Sequence, residues 1–243
     1  MTGKVTAIWG SPGSGKSTIA TKVAYRLAEQ GRETSLLFCD TTAPMLPCVC
    51  PPGEIERERS LGSVFAAAHA TANLVSNNLT TLKRSDKLKM LGFLKRENAQ
   101  SYPQCSERLA AELIDCLREI AEYVIIDCSG SYDALTLAAL KSSDVTFRLV
   151  SGELKSVSYY SSQLPLLAEL APNLDAHLRV AANTRPLRFW EHINQTLSRT
   201  AFALPYSAEV ERQCADGNLL SELKSKDGRL FARELDKIIS EIL

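Results

Sequence analysis

Apolar positions along this chain switch repeatedly between runs and helical spacing, and the switching predicts a succession of strands and helices. Val5-Thr6-Ala7-Ile8-Trp9 reads as a buried strand, and from Ser17 to Ala28 the apolar residues recur at helical spacing. Gly31 is placed to stop that helix, and Ser35-Leu36-Leu37-Phe38-Cys39 reads as a second buried strand ending at Asp40. A loop from Thr41 to Gly53 follows, in which prolines at 44, 47, 51 and 52 exclude helix. Ser60 is a candidate cap for a helix running through Val64, Phe65, Ala68 and Leu74, and Leu88 to Gly92 is a candidate short strand. Pro103 is expected to open a helix striped by Leu109, Leu113, Leu117 and Ile120, which leads into the strand Tyr123-Val124-Ile125-Ile126-Asp127.

The second half repeats the alternation. Val145 to Val150 is strand-like, residues 153–170 are helical with an expected interruption at Pro165, and Leu178 to Asn183 is another strand. Pro186 is expected to start a helix, Ala201 to Leu204 is a last strand, and a terminal helix runs from about Leu230. Such β-α alternation predicts an α/β fold, a mostly parallel sheet with helices on both faces, and one domain spanning residues 1–243.

Between the first strand and the first helix stands Gly10-Ser11-Pro12-Gly13-Ser14-Gly15-Lys16-Ser17, a match to G-x-x-x-x-G-K-[ST], the phosphate-cradling P-loop. Strand, glycine loop and helix are the context that motif requires. Glycines let phosphate oxygens approach the main chain, Lys16 is placed for the β- and γ-phosphates, Ser17 for Mg²⁺, and the N–H groups of the new helix for the anion. A second acidic motif, Asp127-Cys128-Ser129-Gly130, ends the strand at 123–127. Its aspartate can orient Mg²⁺ through water and its glycine N–H can meet the γ-phosphate.

Composition narrows the partners. With 45% apolar residues the chain can build a sizeable core, and 28 basic against 28 acidic residues leave no global field toward nucleic acid or lipid. No run of apolar residues is long enough to span a membrane, and the scattered cysteines 39, 48, 50, 105, 116, 128 and 214 fit a reducing compartment, so a cytoplasmic protein is expected.

These motifs, with Asn183 ending a strand and Leu204-Pro205-Tyr206-Ser207 followed by Val210, Ala215 and Gly217, resemble the ParA/MinD group of P-loop ATPases, the deviant Walker A (SIMIBI-like) class. The resemblance implies ATP or ADP with Mg²⁺ held by Gly10 through Thr18, with Ser17, Asp40 and Asp127 serving the metal. It implies Gly130 at the γ-phosphate, Asn183 and Pro205 framing the base, and a homodimer that reads out to a protein partner. A guanine-reading N-K-x-D is absent, because Asn183 is followed by Thr184-Arg185-Pro186, which favours ATP.

The sequence departs from that family in two places. Its K-G-G-x-G-K-[ST] carries a lysine that reaches across a dimer, where this chain has Ser11, and its D-x-D after the second strand is reduced to a single acid, Asp40. Weak or partner-dependent hydrolysis follows. The modified loop also resembles the pilus-assembly localisation ATPases of tight-adherence systems.

Three further features have bland alternatives. The basic run Lys83, Arg84, Lys87, Lys89, Lys95 and Arg96 suits non-specific DNA or a solvated face. The terminal helix carries Phe231, Leu235, Ile238, Ile239 and Ile242 on one side, but its acids offset its bases, which favours docking on the body over membrane binding. Cys48-Val49-Cys50 has metal-like spacing, and the chain is also open to reading as a P-loop small-molecule kinase or a metallochaperone ATPase.

Overall fold

The computed structural model describes residues 2–50, 59–83, 85–170, 177–184 and 201–242. In chain order the strands are β1 (Lys4–Gly10), β2 (Thr34–Phe38), β3 (Thr80–Leu82), β4 (Ser85–Leu91), β5 (Tyr123–Asp127), β6 (Val145–Ser151), β7 (His177–Thr184) and β8 (Phe202–Pro205). They form one eight-stranded sheet in the order β3-β4-β2-β5-β1-β6-β7-β8. Every pairing is parallel except that of β3 with β4. The helices are α1 (Lys16–Glu29), α2 (Leu46–Val49), α3 (Leu61–Phe65), α4 (Ala72–Asn78), α5 (Glu107–Ile120), α6 (Ala134–Ser142), α7 (Leu154–Leu170), α8 (Ala208–Ala215) and α9 (Lys226–Ile242).

Both faces of the sheet are covered, as continuous apolar strands require. Val5, Ala7, Trp9, Val124 and Ile126 pack with Leu109, Leu113 and Leu117 of α5, Leu135 and Ala139 of α6, and Tyr160 and Leu167 of α7. Ile8, Leu36, Ile125, Phe147 and Leu149 pack on the other face with Ile19, Val23 and Leu27 of α1 and with Phe231, Leu235, Ile238 and Ile239 of α9. The terminal helix therefore docks on the body, and no helix among the described residues is long and apolar enough to cross a membrane.

Register places the chemistry. Ile8 lies opposite Asp127, and Gly10 opposite Leu149, so the P-loop leaves the sheet beside the acidic end of β5. That crevice, beyond the carboxyl ends of the strands, is where open α/β sheets bind ligands.

Several sequence expectations need correction. The proline loop after Asp40 holds a one-turn helix, α2, because Pro47 sits in its first turn, where its missing N–H has no partner to lose. The helix expected from Ser60 to Leu74 is two. Ser60 caps α3 by accepting from Gly62 N, Thr71 caps α4, and Glu112 of α5 takes the Ala70 N–H at 3.0 Å, holding the link out of helix. The helix α5 starts at Glu107 and not at Pro103, since Ser106 supplies the capping oxygen to Leu109 N. Pro165 does not interrupt α7, whose buried Tyr160 and Leu167 anchor the same face on either side of it. The terminal helix begins a turn earlier than Leu230, at Lys226, and the helix expected from Pro186 lies outside the described residues.

Candidate nucleotide site

On the phosphate side the cradle is made by backbone. Gly13 and Gly15 hold φ of +81° and +85°, left-handed values that L side chains rarely adopt. At Gly10 the restriction is space, since a Cβ there would lie 2.6 Å from the Leu149 carbonyl oxygen. Gly15 gives α1 no side-chain cap, so the first-turn N–H groups stay open to an anion. Lys16 Nζ donates to the carbonyls of Gly10 and Ser11 at 3.2 and 3.4 Å, folded over the loop it serves. Ser11 is buried and its hydroxyl donates to Ser156 Oγ of α7 at 3.2 Å. Pro12 packs toward Gly130, where a Cβ would meet its Cγ at 3.7 Å, so the D-x-x-G turn lies against the loop.

Asp127 is 1% exposed, and neither carboxylate oxygen has a hydrogen-bond partner of full geometry. Burial pushes its pKa up to about 7, opposed by the Ser17 hydroxyl and the Lys16 charge and reinforced by Asp40. Burial likewise lowers the pKa of Lys16, against the attraction of Asp127, Cys128 and Asp40. These four charged or polar groups, Lys16, Ser17, Asp40 and Asp127, thus sit within electrostatic reach. Two orphaned carboxylate oxygens beside a serine hydroxyl suit a hard, oxygen-seeking cation such as Mg²⁺. Asp40 Oδ1 accepts from Thr42 N at 2.8 Å and Ala43 N at 2.9 Å, an Asx turn that fixes the start of the loop.

The candidate base side is a cleft of about 350 Å³ beside the loop, lined by Gly13, Ser14, Gly15, Thr18 and Ile19 and by Ala182, Pro205, Val210, Cys214 and Phe231. Its apolar walls suit a flat heterocycle. Pro205 lines this cleft, and Asn183 follows Ala182 on β7, next to Thr184, which registers with Pro205. The buried Ser14 Oγ has no partner, and Thr18 Oγ1 lies 3.7 Å from Cys214 Sγ.

What the sequence did not reveal is the set of ties that hold this cleft. Lys22 Nζ donates to Gln213 Oε1 of α8 at 2.5 Å. Glu209 accepts from Lys224 N and Ser225 N and shares the Ser225 hydroxyl proton with Asp227, which also accepts from the Ser207 hydroxyl, and these bonds hold the Asp227 carboxyl well below the usual range. Residues so far apart in the chain carry no local motif. Ser156, likewise, is an unremarkable serine until α7 meets the P-loop.

Two sequence candidates are not brought into a site. Cys48 is exposed while Cys50 is buried with its Sγ 4.0 Å from Met90 Sδ, so the pair cannot present two thiolates to one metal, and no metal-holding cluster occurs among the described residues. In the basic run, Lys87 and Lys89 both pair with Glu33, at 2.5 and 3.7 Å, and Arg84 lies outside the described residues.

By fold and loop the chain is thus an α/β protein whose first strand and first helix are joined by a P-loop. No family model and no curated protein matches its sequence. Solved structures do match. A ParA family ATPase from Chlorobium tepidum superposes with a TM-score of 0.81 at 14% identity, covering 97% of each chain. The septum site-determining protein MinD from Pyrococcus horikoshii, complexed with Mg-ADP, gives 0.76 at 16% identity over 98% of this chain and 96% of that one. Apo McdA from Cyanothece gives 0.73 at 16% identity, covering 97% and 99%. The fold is that of the MinD and ParA ATPases.

Proposed function

We propose that this chain binds ATP with Mg²⁺ and acts as a nucleotide-switched ATPase of the ParA/MinD type, a cytoplasmic homodimer that positions or partitions a cellular cargo through a protein partner. One observation carries the reading. A single P-loop joins an orphaned acid on one flank to an apolar base cleft on the other, in the fold that P. horikoshii MinD uses to hold Mg-ADP. Lys16 would leave the Gly10 and Ser11 carbonyls for the phosphates, Ser17 and Asp127 would hold the metal, Gly130 would offer its N–H, and Asp40 would orient water. Bound Mg²⁺ would neutralise charge between the phosphates.

Weak hydrolysis is part of the proposal. Ser11 is turned inward on Ser156, so nothing at that position reaches a second subunit, and Asp40 stands alone and engaged in its turn. The pairing of Lys87 and Lys89 with Glu33 favours a solvated face over DNA contact at residues 83–96. A pilus or secretion cargo is the narrower form of the same reading, taken from the altered loop.

One observation favours a second reading, a P-loop small-molecule kinase. A cleft of about 420 Å³ lined by Cys39, Thr41, Phe93, Tyr102 and Asp133 lies at the carboxyl ends of β2 and β4 and the start of α6, with room for an acceptor. Radiolabelled γ-phosphate separates the two. Slow release as orthophosphate, far below the roughly 10 s⁻¹ of a median enzyme, supports the switch, and recovery on an added organic acceptor selects the kinase.

A further inference from the structure

Lys22 sits on α1, the helix whose first turn carries Lys16, Ser17 and Thr18, yet it is only 1% exposed. Its Nζ donates to Gln213 Oε1 at 2.5 Å and to the Ser221 carbonyl at 3.0 Å, and the Tyr25 ring centroid lies 5.9 Å away. Gln213 passes the tie on, giving its Nε2 to the Glu222 carbonyl at 3.1 Å. The next residue along α8 is Cys214, which lines the base cleft. A buried ammonium is an expensive way to fill this space. Burial lowers its pKa to about 8 despite the attraction of Glu209 and Glu29, and Arg26 lowers it further. An apolar side chain would pack there without that penalty, but it would not fix α8 at one distance and direction from α1.

We propose that Lys22 is a positioning residue for the base cleft. By holding Gln213 and the Ser221 carbonyl it sets the spacing between the base wall and the phosphate loop, and so governs affinity for the nucleoside part of the ligand and not for its phosphates. The inference rests on the ATP-binding reading given above.

Calorimetry on the full chain tests it, with Mg²⁺ present and with two probes, ATP and inorganic tripolyphosphate. Lys22→Met should weaken ATP roughly tenfold or more, the scale of one lost charged hydrogen bond, while tripolyphosphate stays within about twofold. Gln213→Leu, which leaves the lysine in place, should show the same selective loss and provides the test if Lys22→Met does not fold. Gln213→Glu, which keeps the acceptor for Lys22 but loses the donor to the Glu222 carbonyl, should weaken ATP less than Gln213→Leu. Equal weakening of both probes in the variants, or of neither, overturns the positioning role while leaving ATP binding intact. A wild-type chain that binds tripolyphosphate but not ATP overturns both.

Discussion

The two flanks of the P-loop are built on opposite plans. The phosphate flank is contiguous in sequence, made largely of backbone, and leaves polar groups unmet: Asp127 Oδ1 and Oδ2 lack partners, and Lys16 rests on its own loop's carbonyls. The base flank is assembled from β7, β8, α8 and α9, presents apolar walls, and is braced by ties such as Lys22 with Gln213 and Glu209 with Ser225, with the Ser14 hydroxyl left unmet. The difference teaches where each kind of free energy would sit in the proposed complex, since charged groups without protein partners are available to phosphate and metal, whereas a base would gain chiefly from surface removed from water.

The largest effect should come from the phosphate flank. Lys16→Ala removes an ammonium that would make several charge-assisted hydrogen bonds, so calorimetry should show ATP affinity falling by at least ~100-fold. Equal affinity for variant and wild type would end the comparison.

Asp127→Asn should then separate stability from function. With a folded pKa near 7 against 3.8 when free, Asp127 keeps a proton in the folded state that the unfolded chain has released. Stability should therefore fall as pH rises from about 4 to 7 and stay reduced above it. The asparagine variant should lack that fall and be more stable by about 2 kcal/mol at pH 8 in urea titrations, while losing the Mg²⁺ dependence of ATP binding. An asparagine variant less stable than wild type at pH 8 would mean that the carboxylate is already compensated.

On the base flank, Glu209→Gln replaces a charged acceptor of Ser225 and Lys224 by a neutral one. It should lower stability by about 1 kcal/mol and leave triphosphate binding untouched. Unchanged urea midpoints would show that the network does not hold the flank.

The contrast also explains what was legible in the sequence. The P-loop and Asp127 could be read because a few adjacent residues do the work through backbone, and β1, α1, β2 and β5 were legible because their apolar periods are unbroken. The antiparallel β3 is three residues long, too short for a period, and α6 is apolar nearly all round, so neither stood out. The break between α3 and α4 depends on Glu112 reaching Ala70 from another helix, and Ser156 and Gln213 gain meaning only from contacts more than a hundred residues away. Pro205 could be placed only through resemblance.

The smallest effect is a matter of access. Cys48 and Cys214 are exposed while Cys39, Cys50, Cys116 and Cys128 are buried, so the exposed pair should label first with a thiol reagent. ATP should protect Cys214, on the cleft wall, and leave Cys48 unprotected. Protection of both, or of neither, would move the base elsewhere.

Sedimentation velocity with ADP, with a non-hydrolysable ATP analogue and with neither tests the switch itself. In the proposed reading Asp127, the turn at Gly130 and the loop after Asp40 surround the γ-phosphate, so the account predicts that the ATP analogue shifts the protein toward dimer relative to ADP. A strict monomer in all three states, across a wide concentration range, would contradict the nucleotide-switched dimer.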